Sequence, residues 1–483
     1  MRFQVIQKIL GLLLSIFSLA LLPPLLIAHW TGDGARGAFA TAIAVIFVAG
    51  MTLWLPVRNV NREMKLRDGF IVVVLFWVVL GTSGAIPFLL VEHLNMSWAD
   101  AIFESLSGLT TTGATVITGI DTLPPSILFY RQLLQWLGGM GIIVLAVAIL
   151  PILGVGGMQL YRAETPGPMK DSKLTPRITE TAKALWYIYL GLTVACALAY
   201  FFAGMNLFDA ISHSFSTVAI GGFSTHDLSL GYFNNPTIES IAIVFMFLAG
   251  INFSLHFLAW RHRNFKPYLF DSEFKLYGGI TLGVCVTCTI GLSINEYTGD
   301  WLHAARLGVF QAVSIGTTTG FTTAEFQTWP GFLPLLLVFA SFVGACAGST
   351  GGGIKVVRIL LLYKQGRREI QRLIHPNAII TIKMGGRPVN DRVVDAVWGF
   401  FATYVAVFAI LLLSAMGTGL DQVTAFSAIA ACLNNLGPGL GDVAANYGSI
   451  PDTTKYILGL AMILGRLEIF TLLVLLTPAF WRS

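Results

Sequence analysis

Ten apolar stretches, each long enough to cross a lipid bilayer as a helix, run through the chain at 9–32, 37–57, 69–91, 132–160, 184–208, 240–260, 276–295, 326–354, 396–420 and 456–481. The hydrocarbon core of a bilayer is ~30 Å thick and takes about 20 apolar residues per helix. The first nine stretches contain no Asp, Glu, Lys or Arg; only the tenth is interrupted, by Arg466 and Glu468. With 55% apolar and 11% charged residues over 483 positions, a soluble multidomain enzyme is excluded and an all-α polytopic membrane protein is expected. The first stretch follows a short basic start, Arg2 and Lys8, but it is long and lacks a small-x-small cleavage site, so it reads as a retained helix. The five cysteines all fall in apolar or motif segments and indicate neither disulfides nor a zinc site; Cys285 and Cys288, although CxxC-spaced, sit inside an uncharged span.

Charge fixes the topology. Ten crossings put both termini on one face, and that face receives 25 of the 30 Lys and Arg. The other face has Arg36, Arg131, Arg306 and Lys455 against 14 acids. By the positive-inside rule the basic face, with both termini, is cytoplasmic. The acidic outer face suits the gathering of cations, although mildly acidic outer loops also arise for topological reasons alone.

Four short elements lie between apolar runs: Thr110-Thr111-Thr112-Gly113, Ala219-Ile220-Gly221-Gly222, Thr317-Thr318-Thr319-Gly320 and Asn434-Asn435-Leu436-Gly437. A second glycine follows each motif glycine 28 positions later, at Gly141, Gly250, Gly348 and Gly465. The chain reads as one unit repeated four times: a two-helix prefix at 1–67, then pore repeats at 68–161, 183–262, 274–366 and 392–483. Two crossings per repeat return the chain to the same face, so all four motifs enter from outside in the same orientation, unlike inverted-repeat transporters. The connection Thr31 to Arg36 is too short to re-enter, so the prefix carries no motif.

A stretch of helix length precedes each motif. Asp100 and Asp209 each stand 13 residues before the motif glycine and read as N-caps; Leu307 and Thr424 hold that offset in the third and fourth repeats, whose helices need other caps. About ten helical residues span roughly 15 Å, half the hydrocarbon thickness. The negative end of such a half-helix favours a cation at the membrane centre. The motif after it must be extended, and non-helical backbone at that depth is tolerated only where protein buries it or water lines it. Side chains at matching positions differ (Thr111, Ile220, Thr318, Asn435), so the chemistry the repeats share is the backbone carbonyl.

These strings, together with Ile220-Gly221-Gly222-Phe223-Ser224-Thr225-His226, Thr319-Gly320-Phe321-Thr322-Thr323, Asn434-Asn435-Leu436-Gly437-Pro438-Gly439 and Ala347-Gly348-Ser349-Thr350-Gly351-Gly352-Gly353, resemble the membrane subunits of the bacterial Trk and Ktr potassium-uptake systems over essentially the whole length. The resemblance implies four pore modules around one selectivity filter, K⁺ as the transported ion with no cofactor, a homodimer in the bacterial inner membrane, and cytosolic TrkA-type nucleotide-binding regulators. It implies no catalytic residues and no nucleic-acid partner. Carried over by position, the filter comprises Thr110, Thr111, Thr112 and Gly113, Ala219, Ile220, Gly221 and Gly222, Thr317, Thr318, Thr319 and Gly320, and Asn434, Asn435, Leu436 and Gly437.

Ala345 to Gly353 is too glycine-rich for a stable helix and predicts an intramembrane loop. It is not a phosphate loop, because Ile354 separates the last glycine from Lys355. As a family analogue, Gly348, Ser349, Thr350, Gly351, Gly352 and Gly353 would obstruct the pathway beneath the filter until a regulator moves the attached helix. Lys355, Arg358, Lys364, Arg367 and Arg368 continue that helix and also serve as topological anchors. The basic loops at 156–183, 261–275 and 364–392 are the candidate docking surface. Arg466 costs roughly 2.5–3.5 kcal/mol at mid-membrane and should face water or a partner. Following Gly465 directly, it is expected near the pore axis beside the loop, either as a gating residue or as a structural partner of Glu468, which at two residues' distance points to another helical face. The function that the resemblance implies is K⁺ uptake through the carbonyl filter, gated by the intramembrane loop and the cytosolic regulators; the alternative is a secondary transporter coupling K⁺ to Na⁺ or H⁺.

Overall fold

A computed structural model describes residues 3–60, 65–141, 178–297 and 299–482. The end of the fourth apolar stretch, from 142, and most of the 156–183 loop lie outside the described residues. Six described helices are long and apolar enough to cross a bilayer: Phe3–Thr31, Arg36–Val57, Arg67–Leu90, Lys183–Phe202, Ser272–Ile294 and Asp391–Gly417. The prefix packs on itself: Gly11 and Gly50 face each other so closely that a Cβ on either would meet the opposite backbone at 2.7–2.8 Å. One small hairpin, Lys383–Met384 with Arg387–Pro388, lies between the third and fourth motifs.

The same order recurs around each motif. A long helix is followed by a short one that ends at the motif: Trp98–Leu109, Leu207–Ala219, Trp301–Gly316 and Gln422–Leu433. These pore helices are buried, and their caps correct the sequence reading. Ser97 and Asn206 are the N-caps; Asp100 and Asp209 stand three residues on, their N–H groups donating to the cap side chains and their carboxylates accepting from them. The carboxylate at this third position bonds the cap side chain in return, which is why it marks the helix start without being the cap. Asp300 and Asp421 cap the other two directly. Asp421 occupies the position that Ser97 and Asn206 hold in their repeats, whereas the third pore helix starts one turn earlier and has 16 residues.

The helices after the motifs are not continuous spans. Pro236–Ala249 and Phe253–His262 meet at 94°, and Asp452–Arg466 and Phe470–Leu476 at 112°, where the apolar runs 240–260 and 456–481 predict unbroken helices. Asn252, whose side chain accepts from Ser254 N, starts a new helix after Gly250. Left-handed φ at Glu468 and Ile469 turns the chain in the fourth repeat. In the third, helix Leu333–Val343 gives way to the loop 344–355, and Val356–Ile374 follows. In the first, Pro125–Trp136 passes into a π-turn over Leu137–Gly141. The glycine 28 residues beyond the second, third and fourth motifs therefore lies at the break in the second helix, and Gly141 ends the π-turn of the first.

Candidate functional site

Each pore helix closes onto its motif in the same way. The second motif residue adopts left-handed φ (Thr111 57°, Ile220 54°, Thr318 69°, Asn435 53°). Its N–H donates to a carbonyl three residues back, and the third residue's N–H to one five back: Thr112 to Ser107, Gly221 to Ser216, Thr319 to Ser314 and Leu436 to Ala431, at 2.7–2.8 Å. This is the helix-ending pattern in which a left-handed residue lets two N–H groups satisfy the last carbonyls. The fourth residue is left-handed as well, and there all four motifs have glycine: Gly113 81°, Gly222 80°, Gly320 87°, Gly437 97°.

The four motifs close into a ring. A Cβ on Gly113 would stand 2.0 Å from the carbonyl oxygen of Gly221, one on Gly222 2.1 Å from that of Thr319, one on Gly320 2.1 Å from that of Leu436, and one on Gly437 2.7 Å from that of Thr112. Each motif glycine thus packs against the third carbonyl of the next motif, in the order one, two, three, four and back to one. Glycine is required twice over, by its φ and by the carbonyl beside it. The ring is not fully four-fold: Gln135 Nε2 donates to the Gly221 carbonyl at 2.6 Å while its Oε1 accepts from Phe223 N at 3.1 Å.

Against the inner edge of this ring, where the pore helices end, lies the loop 344–355. Thr350 Oγ1 donates to Val218 O at 2.9 Å, Gly352 N to Thr318 Oγ1 at 2.7 Å, and Gly353 N to Asn434 O at 3.1 Å. Gly351 and Gly352 have no room for a side chain, since Cβ atoms there would meet Thr317 O at 2.9 Å and Asn434 O at 1.9 Å. The first motif is reached through Arg466, which donates to Thr111 Oγ1 (3.0 Å), Thr350 O (3.2 Å), Gly138 O (2.5 Å) and Gly139 O (2.8 Å) and lies over Trp77. Loop and arginine together touch all four motif segments. Gly348 and Ser349 sit aside from the ring: Gly348 O accepts from Phe253 N, and Ser349 Oγ donates to Cys346 O.

Several of the bonds that hold the loop are not evident from sequence. Glu273, at the start of a long helix, accepts from both Ala347 N (2.7 Å) and Val357 N (3.1 Å), clamping the two ends of the loop. Lys355 Nζ donates to Gly351 O. Glu468 pairs with Arg358 on the helix after the loop, not with Arg466. Arg358 and Arg368 are buried and paired, Arg368 with Asp391, so they act as more than anchors at the membrane surface. A carboxylate beside or within an apolar span was the available signal for Glu273 and Glu468; the partners of Glu273 lie 74 and 84 residues on, and that of Glu468 lies in another repeat.

On the outer side, His226 of the segment after the second motif bonds Asp121 Oδ1 at 2.5 Å and Asp209 Oδ2 at 3.3 Å, stacks on Tyr232, and neighbours His213 and Asp227. Burial disfavours its imidazolium, but the hydrogen bonds and charges of Asp209 and Asp121 outweigh this and raise its pKa above 6.5. Burial likewise favours neutral Asp121, yet the bonds from His226 and Asp227 lower its pKa below 3.8. The stability from His226 is complete below 6.5 and is lost as pH rises through the raised folded value; that from Asp121 is present above 3.8 and is lost as pH falls through the lowered one. The melting temperature of the detergent-solubilised protein is expected to fall as pH rises above 6.5, and His226→Ala to shrink that fall. An equal fall in the variant would assign it to other groups.

The fold and the ring define a polytopic membrane transport protein, in which helices converge on non-helical backbone at membrane depth. The sequence pattern of the TrkH family, described as cation transport protein, matches residues 35–291 and 299–483. The chain belongs to that family and is a transporter, not an enzyme. It is 57% identical to the Trk system potassium uptake protein TrkH of Vibrio parahaemolyticus and 55% identical to that of Escherichia coli, each across 100% of both chains. At 41% identity it also resembles the Trk system potassium uptake protein TrkG of Escherichia coli, across 99% of both. The crystal structure of the potassium transporter TrkH from Vibrio parahaemolyticus superposes with a TM-score of 0.91 at 55% identity, covering 100% of each chain.

Proposed function

We propose that this protein takes up K⁺ across the bacterial inner membrane through the four-motif ring, with both termini in the cytoplasm. Four pore units, 68–161, 183–262, 274–366 and 392–483, each contribute one wall, and 1–67 stands outside them. The carbonyls of Thr110 to Gly113, Ala219 to Gly222, Thr317 to Gly320 and Asn434 to Gly437 replace the hydration shell of the ion. The observation that carries this reading is the closed contact of each motif glycine with the next motif's carbonyl, which gathers four identical backbone turns about one axis. The names of the relatives agree with K⁺ as the ion.

In this reading Gly348 to Gly353 and Arg466 close the pathway below the ring. A TrkA-type cytosolic regulator, docking on the basic loops of a homodimer, opens it by moving the helix Val356–Ile374. Arg358, which pairs with Glu468, couples that helix to the fourth unit beside Arg466. A membrane potential of 100 mV contributes about 2.3 kcal/mol per charge, enough for roughly forty-fold accumulation at 1.4 kcal/mol per decade. Coupled transport with Na⁺ or H⁺ is the competing reading. It needs a carboxylate free to exchange its partner; Glu104, Glu239 and the half-buried Glu468 each hold an arginine, and the buried Glu273 holds the N–H groups of Ala347 and Val357.

The reversal potential of the purified protein in liposomes under a K⁺ gradient, with Na⁺ and H⁺ gradients then imposed separately, tests this. A potential at the K⁺ Nernst value, insensitive to the other two, is expected. A shift with Na⁺ or pH would replace the channel-like pathway by coupled transport or by a poorly selective ring.

A further inference from the structure

Nine residues before the motif glycines, the pore helices carry Glu104, His213, Gln311 and Ala428. The first three are fully buried, and each reaches forward to the extended segment that leaves its motif. Glu104 accepts from Thr115 Oγ1 and Val116 N, both at 3.0 Å. His213 Nε2 lies 2.9 Å from Ser224 Oγ, and Gln311 Oε1 accepts from Thr323 N at 3.3 Å. Where the fourth repeat has alanine, the preceding Ser427 takes the role, accepting from Leu440 N at 2.8 Å and donating to Leu440 O at 3.1 Å. Counted from the motif glycine, the partner is the second or third residue after it in every repeat. Carboxylate, imidazole, amide and hydroxyl thus perform one geometric task, which side-chain packing alone would not require.

The Glu104 brace extends across a repeat boundary. Arg131 pairs with Glu104 at 2.8 Å, both side chains being at most 1% exposed. It goes on to donate to Ser224 O at 3.0 Å and to Thr115 Oγ1 at 3.1 Å, with its guanidinium 4.2 Å over the Phe223 ring. Phe223 and Ser224 belong to the segment that leaves the second motif, so one ion pair fixes the first and second segments relative to each other. This is the seam where Gly113 packs on the Gly221 carbonyl. A buried pair resists separation because either charge alone would be uncompensated in a low dielectric. Discrimination between similar cations depends on the number and the holding of the carbonyls.

We propose that Glu104, His213, Gln311 and Ser427 are positioning residues of the ring, and that the Glu104–Arg131 pair sets its selectivity by fixing the spacing of the first and second motifs. This rests on the carbonyl-filter reading above. The test is the K⁺/Na⁺ permeability ratio, from bi-ionic reversal potentials in liposomes, for Glu104→Gln, Arg131→Lys, Gln311→Ala and Gly320→Ser. Glu239→Gln serves as the control: it weakens another buried pair, Glu239–Arg306, whose further bond runs to Asn234. Glu104→Gln and Arg131→Lys are expected to lower the ratio about tenfold, equivalent to ~1.4 kcal/mol. Gln311→Ala should lower it less, and Glu239→Gln should lower thermal stability while leaving the ratio unchanged. If Gly320→Ser changes the ratio but folded Glu104→Gln and Arg131→Lys do not, the positioning role is overturned and the filter stands. If Gly320→Ser also leaves it unchanged, the filter reading falls and this proposal with it. Should the two ion-pair variants fail to fold, an unchanged ratio in Gln311→Ala overturns the positioning role.

Discussion

Replacing Gly320 with serine is expected to lower the K⁺/Na⁺ permeability ratio by roughly tenfold or more, taking 1.4 kcal/mol per decade, with a smaller loss of total flux. Two separate costs converge at this position. Its φ of +87° is one that an L-residue adopts at a penalty of about 1–2 kcal/mol. A Cβ there would also stand 2.1 Å from Leu436 O and 2.8 Å from Pro438 Cδ, so the third and fourth motifs must part. Gly113→Ser is expected to act alike, against Gly221 O. Gly204 separates the two costs: its φ is +106°, but nothing lies within 4 Å of the place a Cβ would take. Gly204→Ser should therefore cost stability and keep selectivity. An unaltered ratio in both Gly113→Ser and Gly320→Ser would remove the ring from the ion pathway.

Replacing Arg466 with alanine is expected to raise basal K⁺ flux about tenfold or more in the absence of any regulator, on the same conversion. Arg466 places a positive charge at the inner edge of the ring and ties Thr350 of the loop to Thr111 and the first repeat's π-turn. A like charge in the path of a cation is worth up to ~4 kcal/mol at 4 Å for an effective dielectric of 20, so removing it lowers a barrier that water only partly screens. Its loss also leaves the loop without its link to the first motif, although Glu273 and Lys355 still hold the rest. Arg466→Lys keeps the charge but cannot make the forked set of bonds, and its flux should fall between wild type and Arg466→Ala. Radiotracer uptake at matched expression measures this. A lower flux in Arg466→Ala would mean that the arginine supports the open pathway rather than closing it.

In the proposed function, gating by the loop and selection by the ring share atoms. Thr318 offers its side-chain oxygen to Gly352 N, and Asn434 offers its carbonyl to Gly353 N. Loop withdrawal therefore frees acceptors on two motifs, which links opening to the inner end of the ring.

Much of this is legible in the residue order. Uncharged runs of bilayer length dictate an all-helical membrane protein, because the bilayer offers an isolated backbone no other partner. Four glycine-ended motifs at matching spacing locate the ring, since glycine is the residue that tolerates the left-handed turn adopted at Gly113, Gly222, Gly320 and Gly437. The glycine-rich run at 345–353 announces a loop, and Arg466 within an apolar span announces a polar partner. Local rules also have local failures: Asp100 and Asp209 read as caps, but Ser97 and Asn206 hold that place, and the second helices of the second and fourth repeats break where the apolar runs predict continuous spans.

What only the tertiary structure decided are the pairings between distant repeats. Glu468 stands beside Arg466 in sequence but binds Arg358, 110 residues away; Arg466 reaches Thr111, 355 residues away. Arg131, an outer-loop cation by position, proves to be a buried brace on Glu104. Periodicity reports which face of an element avoids water, a property each residue carries with it. The choice of partner for a buried charge depends on which other buried charge the assembled repeats bring within hydrogen-bond reach, and that is fixed only when all four have closed about their common axis.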